Sequence, residues 1–340
     1  MSEKVMAVMV MVFCFVVMVL FSASSAFAVQ PIKMKYSLFW PAPHKCTQTA
    51  TEWAKEIEKR TNGRVKITMF PGATLTQADK CYDGVVKGIS EIGSSVLSYT
   101  RGRFPLMSVI ELPLGYKSAV QSTNLINAVY KKFKPKELDD VKVMYFMSHG
   151  PGVIHTKKPV ARLEDLKGMK IRSSGTVAKI SAALGAVPVA MPQTETYDAL
   201  SKGIVDGLMS PTEVLQDWKF GEVVDNTTLD YGTAYGLGFF IVMNKEKWNS
   251  LPPDIQKIIE QINEEWIVRA GKAYDKQDDD SVKYVKERGH KFITLTAEEQ
   301  ARWVNAVAKL KDEYVKDMKA KGLPGDEVLK FCLETLKKTP

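Results

Sequence analysis

Residues 82–93 read YDGVVKGISEIG, and residues 197–208 read YDALSKGIVDGL. Tyr, Asp, Lys, Gly and Ile recur in register, and an acidic residue follows each time, Glu91 in one copy and Asp206 in the other. Both copies spell the same local event. A helix ends at a glycine free to enter the left-handed region, Gly88 or Gly203, and a short buried strand then begins. A stretch this short can echo by chance. One supersecondary unit used once in each half of the chain fits better, and it predicts two related lobes.

The surrounding periodicity agrees. Met34, Tyr36, Leu38 and Trp40 alternate with Lys33, Lys35, Ser37 and Phe39, a strand over 33–40. After the Pro41-Ala42-Pro43-His44 loop, Ala50, Trp53, Ala54 and Ile57 fall at helical spacing, and Asn62-Gly63 ends that helix. Val65, Ile67 and Met69 make a second strand, stopped by Pro71-Gly72. A helix near 75–87 and a strand near 89–97 follow. The rhythm returns with strands at 141–148, 170–174 and 204–209 and helices at 176–185 and 194–202. Strands alternating with helices predict an α/β fold with parallel sheet. After a strand at 237–243, Pro252 and Pro253 open a helical pattern that runs to about Gly289. A helix of that length could lie across both lobes. The tail, 296–337, reads as two helices separated by Gly322-Leu323-Pro324-Gly325.

The first residues bear on compartment. Val5 to Phe21 is apolar throughout, and Ala26-Phe27-Ala28 has the small-x-small pattern of a signal-peptidase site. The run is also long enough for an uncleaved anchor, but no basic stop-transfer cluster follows it, so residues 1–28 are expected to be a signal peptide cleaved after about Ala28. The protein is then periplasmic. The net charge of +8 favours anionic small solutes. Nucleic acid is a poor partner for an exported chain without a basic-aromatic motif. There is no GxSxG, no HExxH and no Gly-rich phosphate loop, and no carboxylate pair has an obvious role, so nothing marks an enzyme. Of the cysteines, Cys14 lies in the leader. In an oxidising compartment Cys46 and Cys81 are expected to pair and Cys332 to stay free; the alternative is three buried thiols. His44, Cys46 and Cys81 could sketch a zinc site but lack zinc-ligand spacing, so neither metal nor cofactor is expected.

One residue stands out chemically. In DLKGMKIRSSG (165–175), Arg172 ends a strand just before a helix start. That place suits an anion, and a guanidinium adds a rigid fork matched to a carboxylate. A salt bridge to a neighbouring side chain is the alternative.

Four stretches together carry a family resemblance: RFPLMSVIELPLGY (103–116), LEDLKGMKIRSSG (163–175), LGAVPVAMPQTETYDALSKGIVDGLMSP (184–211) and VMNKEKWNSLPPDIQKII (242–259). The chain resembles the periplasmic solute-binding subunit of a tripartite ATP-independent (TRAP) transporter over nearly its whole mature length. The LKGxKIR and VDGxxxP series argues against an ABC-type binding protein. The resemblance implies a two-lobed periplasmic-binding-protein fold with hinge strands and a long helix spanning both lobes. Lobe 1 would hold 29–149, with about 236–276 returning to it. Lobe 2 would hold 150–235, with about 277–340 returning. It also implies an organic acid closed between the lobes, delivery to the TRAP permease membrane subunits, and a monomer. Ligand presentation to a membrane sensor would share the same fold. Arg172 matches the carboxylate-binding arginine of LKGxKIR.

Departures from the family pattern bear on the ligand. Ser210 stands before Pro211 where many members have asparagine, and a hydroxyl offers fewer donors than an amide. Gly152 falls near the place of a second arginine, which removes a charge and is expected to leave space. Gln193 replaces an aromatic residue of some members. Trp40, His44, Ser95, Thr233 and Tyr235 are expected on the cleft wall, although Trp40 and Tyr235 would serve equally as core aromatics. Together these predict an aromatic monocarboxylate, such as an aryl or indolyl acetate, ahead of a C4-dicarboxylate or sugar acid.

Overall fold

The computed structural model describes Met6 and residues 30–338. The proposed signal peptide and its cleavage point lie outside the described residues, Met6 apart. The strands are β1 (Ile32–Leu38), β2 (Val65–Phe70), β3 (Ile92–Val96), β4 (Val141–Ser148), β5 (Val153–Thr156), β6 (Lys170–Ser173), β7 (Val187–Ala190), β8 (Gly207–Ser210), β9 (Asn226–Leu229), β10 (Gly238–Asn244) and β11 (Lys291–Thr294). The α-helices are α1 (Lys45–Arg60), α2 (Cys81–Val86), α3 (Ala119–Phe133), α4 (Val177–Ala183), α5 (Thr196–Ser201), α6 (Val214–Asp217), α7 (Lys245–Asn249), α8 (Pro253–Lys286), α9 (Ala297–Val307), α10 (Lys309–Ala320) and α11 (Gly325–Lys338).

The strands form two sheets, ordered β2-β1-β3-β10-β4 and β11-β9-β5-β8-β6-β7. Between them the chain crosses at 149–152 and 230–237, and again through the segment that contains α8. Gly152 N donates to Tyr235 O at 3.0 Å, so the first two crossing segments are tied to each other. The sheets are mixed, not purely parallel. β10 runs antiparallel to β3 and β4, and β5 runs antiparallel to β8 and β9. Each of these strands directly follows a crossing and so enters its sheet from the other half. That reversal leaves no trace in the local helix–strand alternation.

The sequence echo is one structure built twice. α2 and α5 each end at a lysine followed by a left-handed glycine, Gly88 at φ +72° and Gly203 at φ +70°. The acidic residue that follows performs the same task both times. Glu91 Oε2 accepts from Lys35 N of β1 at 2.6 Å, and Asp206 Oδ2 accepts from Lys170 N at the start of β6 at 2.8 Å.

α8, with 34 residues, is about 51 Å long at 1.5 Å per residue. Its buried face packs on α1, α3 and β4 of the first half and on α6 of the second. Trp53 Nε1 donates to Asn263 Oδ1 at 3.0 Å in this seam. The tail has three helices, not two, because the helical path breaks at Ala308 as well as at 321–324. α11 packs on α3, which covers the first sheet, whereas the sequence reading put the whole tail with the second lobe.

Candidate functional site

A narrow cavity of about 20 Å³ is lined from both halves of the molecule. Its walls are aromatic. Phe39 and Trp40 come from the bend after β1, Tyr99 from the turn after β3, and Phe239 from β10. Trp218, just past α6, and Tyr274, on α8, complete the walls. Phe39 stacks on Trp218 and on Phe239, each at 6.1 Å between ring centroids, and Phe239 stacks on Tyr274 at 6.1 Å. These rings pack on one another, so a flat apolar body would stack on them only as the walls part.

Arg172 sits beside this box. β6 buries it to 1% exposure. Its Nε donates to Met191 O at 3.1 Å and its Nη2 to Tyr99 Oη at 3.0 Å. Tyr99 Oη also accepts from Gln193 N at 3.0 Å. With two bonds accepted, the Tyr99 hydroxyl keeps its own hydrogen for another acceptor. No carboxylate among the described residues pairs with the guanidinium. A buried charge without a counter-ion is costly, and a ligand carboxylate would remove that cost through charge-assisted bonds. The expected anion site at the adjacent helix start is filled from within: Glu111 Oε2 accepts from Thr176 N at 2.8 Å. Burial pushes the Glu111 carboxyl up to about 7.

Trp40, Gln193 and Ser210 line the cavity, and Gln193 Nε2 donates to Ser210 Oγ at 3.4 Å. His44 lies one layer behind, its ring 5.5 Å from that of Trp218 and 6.2 Å from that of Trp40. Ser95 and Thr233 belong to other networks. Ser95 Oγ donates to Ala78 O at 2.7 Å, and it is the neighbouring Val96 that lines the cavity, since successive strand residues face opposite ways. Thr233 Oγ1 donates to Asp230 within its own turn. Tyr235 is buried against Gly152. A Cβ on Gly152 would lie 2.5 Å from Tyr235 Cζ, so the room expected from the missing arginine is occupied by this ring. Tyr99, His149, Glu213 and Trp218 went unread in the sequence. His149 had a local cue, its place before Gly150-Pro151-Gly152 at a crossing, whereas Glu213 reaches the cavity through tertiary packing alone.

The acidic side of the site is held by hydrogen bonds. Tyr274 Oη donates to Glu213 Oε1 at 2.6 Å. Asp278 Oδ1 accepts from Thr212 Oγ1 at 2.9 Å and from Glu213 N at 2.8 Å, and burial, reinforced by the Glu213 charge, pushes Asp278 up to about 8. His149 is pushed down to about 4, mainly by burial, so it is neutral at pH 7.

His44, Glu213 and Asp217 bring a nitrogen and two carboxylate oxygens within 4.8 Å of one another, the spacing of a cation site. His44 Nδ1, however, accepts from Cys46 N at 3.1 Å, so a neutral ring carries its hydrogen on Nε2, the atom facing Glu213. Metal-bound histidines have the reverse arrangement, with the non-ligating nitrogen donating. The trio fits a metal poorly. The proposed Cys46–Cys81 bridge is corrected: Cys46, Cys81 and Cys332 are all buried free thiols. Cys46 Sγ faces Gln277 on α8, whereas Cys81 Sγ faces Ser37 O and Ser94 O under the first sheet.

Two α/β halves that wall a small aromatic cavity, beside a buried arginine that pairs with no carboxylate among the described residues, fit a solute-binding protein for organic anions. Comparison with known proteins makes the class specific. The family model described as "Bacterial extracellular solute-binding protein, family 7" matches residues 36–317, and the chain belongs to that family. A TRAP periplasmic solute-binding protein from Desulfovibrio salexigens is similar at 36% identity and a TM-score of 0.80, covering 91% of this chain and 96% of that one. A marine metagenome TRAP protein specific for aromatic acid ligands, in complex with metahydroxyphenylacetate, is 29% identical with a TM-score of 0.86, covering 90% and 99%. The C4-dicarboxylate-binding periplasmic protein DctP of Vibrio cholerae is 26% identical over 278 residues, 78% of this chain and 81% of its own. Among the described residues, no helix is long and apolar enough to cross a membrane.

Proposed function

We propose that this protein captures a small aromatic monocarboxylate in the periplasm and delivers it, without chemical change, to a TRAP membrane permease. The single observation that carries the ligand class is Arg172, a buried cation paired with no carboxylate among the described residues, beside aromatic walls. Arg172 and the Tyr99 hydroxyl would grip the carboxylate, and Trp40, Phe39 and Trp218 would enclose the ring. The metahydroxyphenylacetate-bound relative supports this reading. The DctP relative favours a dicarboxylate, but the carboxylate that lines this cavity, Glu213, would repel a second acid group. In this proposal the mature protein begins near Val29 and works as a monomer.

A thermal-shift screen of the mature protein against benzoate, phenylacetate, indoleacetate, succinate, malate and a hexuronate tests it. A ligand at 100 times its dissociation constant adds about 2.7 kcal/mol of stability. Stabilisation by the aromatic acids is expected. Stabilisation by the dicarboxylates or the hexuronate alone would overturn the ligand class.

A further inference from the structure

The cavity is polarised. On the side next to Arg172 its walls offer donors, the Gln193 side-chain amide and the Tyr99 hydroxyl that the guanidinium holds. Around His149 and Tyr274 it offers acceptors. His149 Nδ1 lies 2.5 Å from Gly150 O, and a carbonyl only accepts, so Nδ1 carries the ring hydrogen. His149 Nε2 is then a bare acceptor. It is buried with no hydrogen-bond partner among the described residues, on a residue that lines the cavity. Glu213 also lines the cavity and is 2% exposed. Tyr274 occupies its Oε1, while Oε2 has only the 3.4 Å approach of His44 Nε2 and no hydrogen bond. Tyr274 links the two acceptors, its hydroxyl on Glu213 and its ring 6.3 Å from that of His149. A buried acceptor left unmatched is costly, and the bare His149 Nε2, with Glu213 Oε2 only loosely approached by His44, calls for a donor from whatever fills the box.

We infer that the ligand carries, besides the carboxylate held by Arg172, an O–H or N–H donor on its body that His149 Nε2 and Glu213 Oε2 accept. His149 and Glu213 are the residues that set this specificity. The inference builds on the carboxylate-binding reading above and narrows it to hydroxylated or amino-substituted acids. Substituents that only accept, such as methoxy, meet two lone-pair donors and are rejected.

Calorimetric titration of the mature protein separates the outcomes. The aromatic set is phenylacetate with its ring-hydroxy, ring-amino and ring-methoxy derivatives at each position, and the aliphatic set is hexanoate with 6-hydroxyhexanoate. At least one hydroxy or amino acid is expected to bind about ten- to a hundredfold more tightly than its parent, and the matching methoxy acid no more tightly than the parent. In His149→Phe and Glu213→Gln the ratio of donor-bearing acid to parent is expected to fall towards one, whatever the absolute affinities. If the hydroxylated aliphatic acid binds and no aromatic acid does, the aromatic reading fails and the donor subsite stands. If parents and methoxy acids bind as tightly as hydroxy and amino acids, or both variants keep the wild-type ratio, the donor subsite fails and the carboxylate reading stands. Binding of no donor-bearing acid at all also overturns it.

Discussion

Arg172 is the residue on which the proposed ligand class turns. Its Nε and Nη2 are fixed by Met191 O and Tyr99 Oη, so the fork is oriented before any ligand arrives. Arg172→Ala is expected to cost about 2–5 kcal/mol of binding free energy to the best acid found, the range for losing one partner of a buried charge pair. Arg172→Lys keeps the charge but not the planar fork, and a clear loss is expected there too. Calorimetry giving wild-type affinity for both variants would refute the assignment. Gly152 makes the second prediction at this scale. Any Cβ there meets the Tyr235 ring, so Gly152→Ala is expected to lower stability by about 1–3 kcal/mol through overpacking. An arginine at Gly152 should therefore unfold the crossing instead of creating a dicarboxylate site. Gly152→Arg protein that melts like wild type would contradict this.

Among the elements, α8 has the most to reveal. Gly271 faces α3, and a Cβ there would sit 2.9 Å from Val120 Cα. Alanine is favoured over glycine in a helix by about 1 kcal/mol, yet the clash is with backbone, which cannot rotate away. Gly271→Ala is thus expected to destabilise, and a raised denaturation midpoint would show the seam to be looser than drawn. The same helix measures how much was legible in the sequence. Its length, its start at Pro252-Pro253 and its end before Gly289 are local signals and were read correctly. So are the repeated helix–glycine–strand units and the place of Arg172 at the end of β6, although Glu111 fills the helix start beside it. The reversed strands β5 and β10 escaped because strand direction depends on where the chain re-enters, which alternation does not encode. Ser95 was placed one residue out of register with the wall, and period-2 geometry turns that slip into the opposite face. His149 and Glu213 stayed hidden because their roles arise from crossing segments that meet only in three dimensions.

At the scale of the whole molecule, buried carboxyls make stability depend on pH. Burial raises Glu111 to about 7 and Asp278 to about 8, so the folded state holds protons that the unfolded state has released. Stability from these groups is therefore lost as pH rises from the ordinary carboxylate range towards 8. His149 and His155, pushed down by burial to about 4 and about 3, act oppositely, but only below their unfolded value near 6.5. Stability, and the melting temperature with it, is expected to fall between pH 6.5 and 8, by up to about 1.4 kcal/mol per pH unit for each proton released. Asp278→Asn should flatten the decline, and a profile that rises, or one the variant leaves unchanged, would contradict this. Closure is the other global property. Two sheets joined by crossing strands and α8 are expected to draw together around an acid, as contacts made only in the closed form shift the population. Small-angle scattering should show a smaller radius of gyration with a bound acid, and identical values would count against a clamshell. The aromatic box has one more consequence, an optical one. Of the six tryptophans, Trp40 and Trp218 line the cavity, while Trp53, Trp248, Trp266 and Trp303 are packed elsewhere. An acid seated in the box would touch both indoles and change their fluorescence, so the protein carries a built-in gauge of its own occupancy that needs no dye.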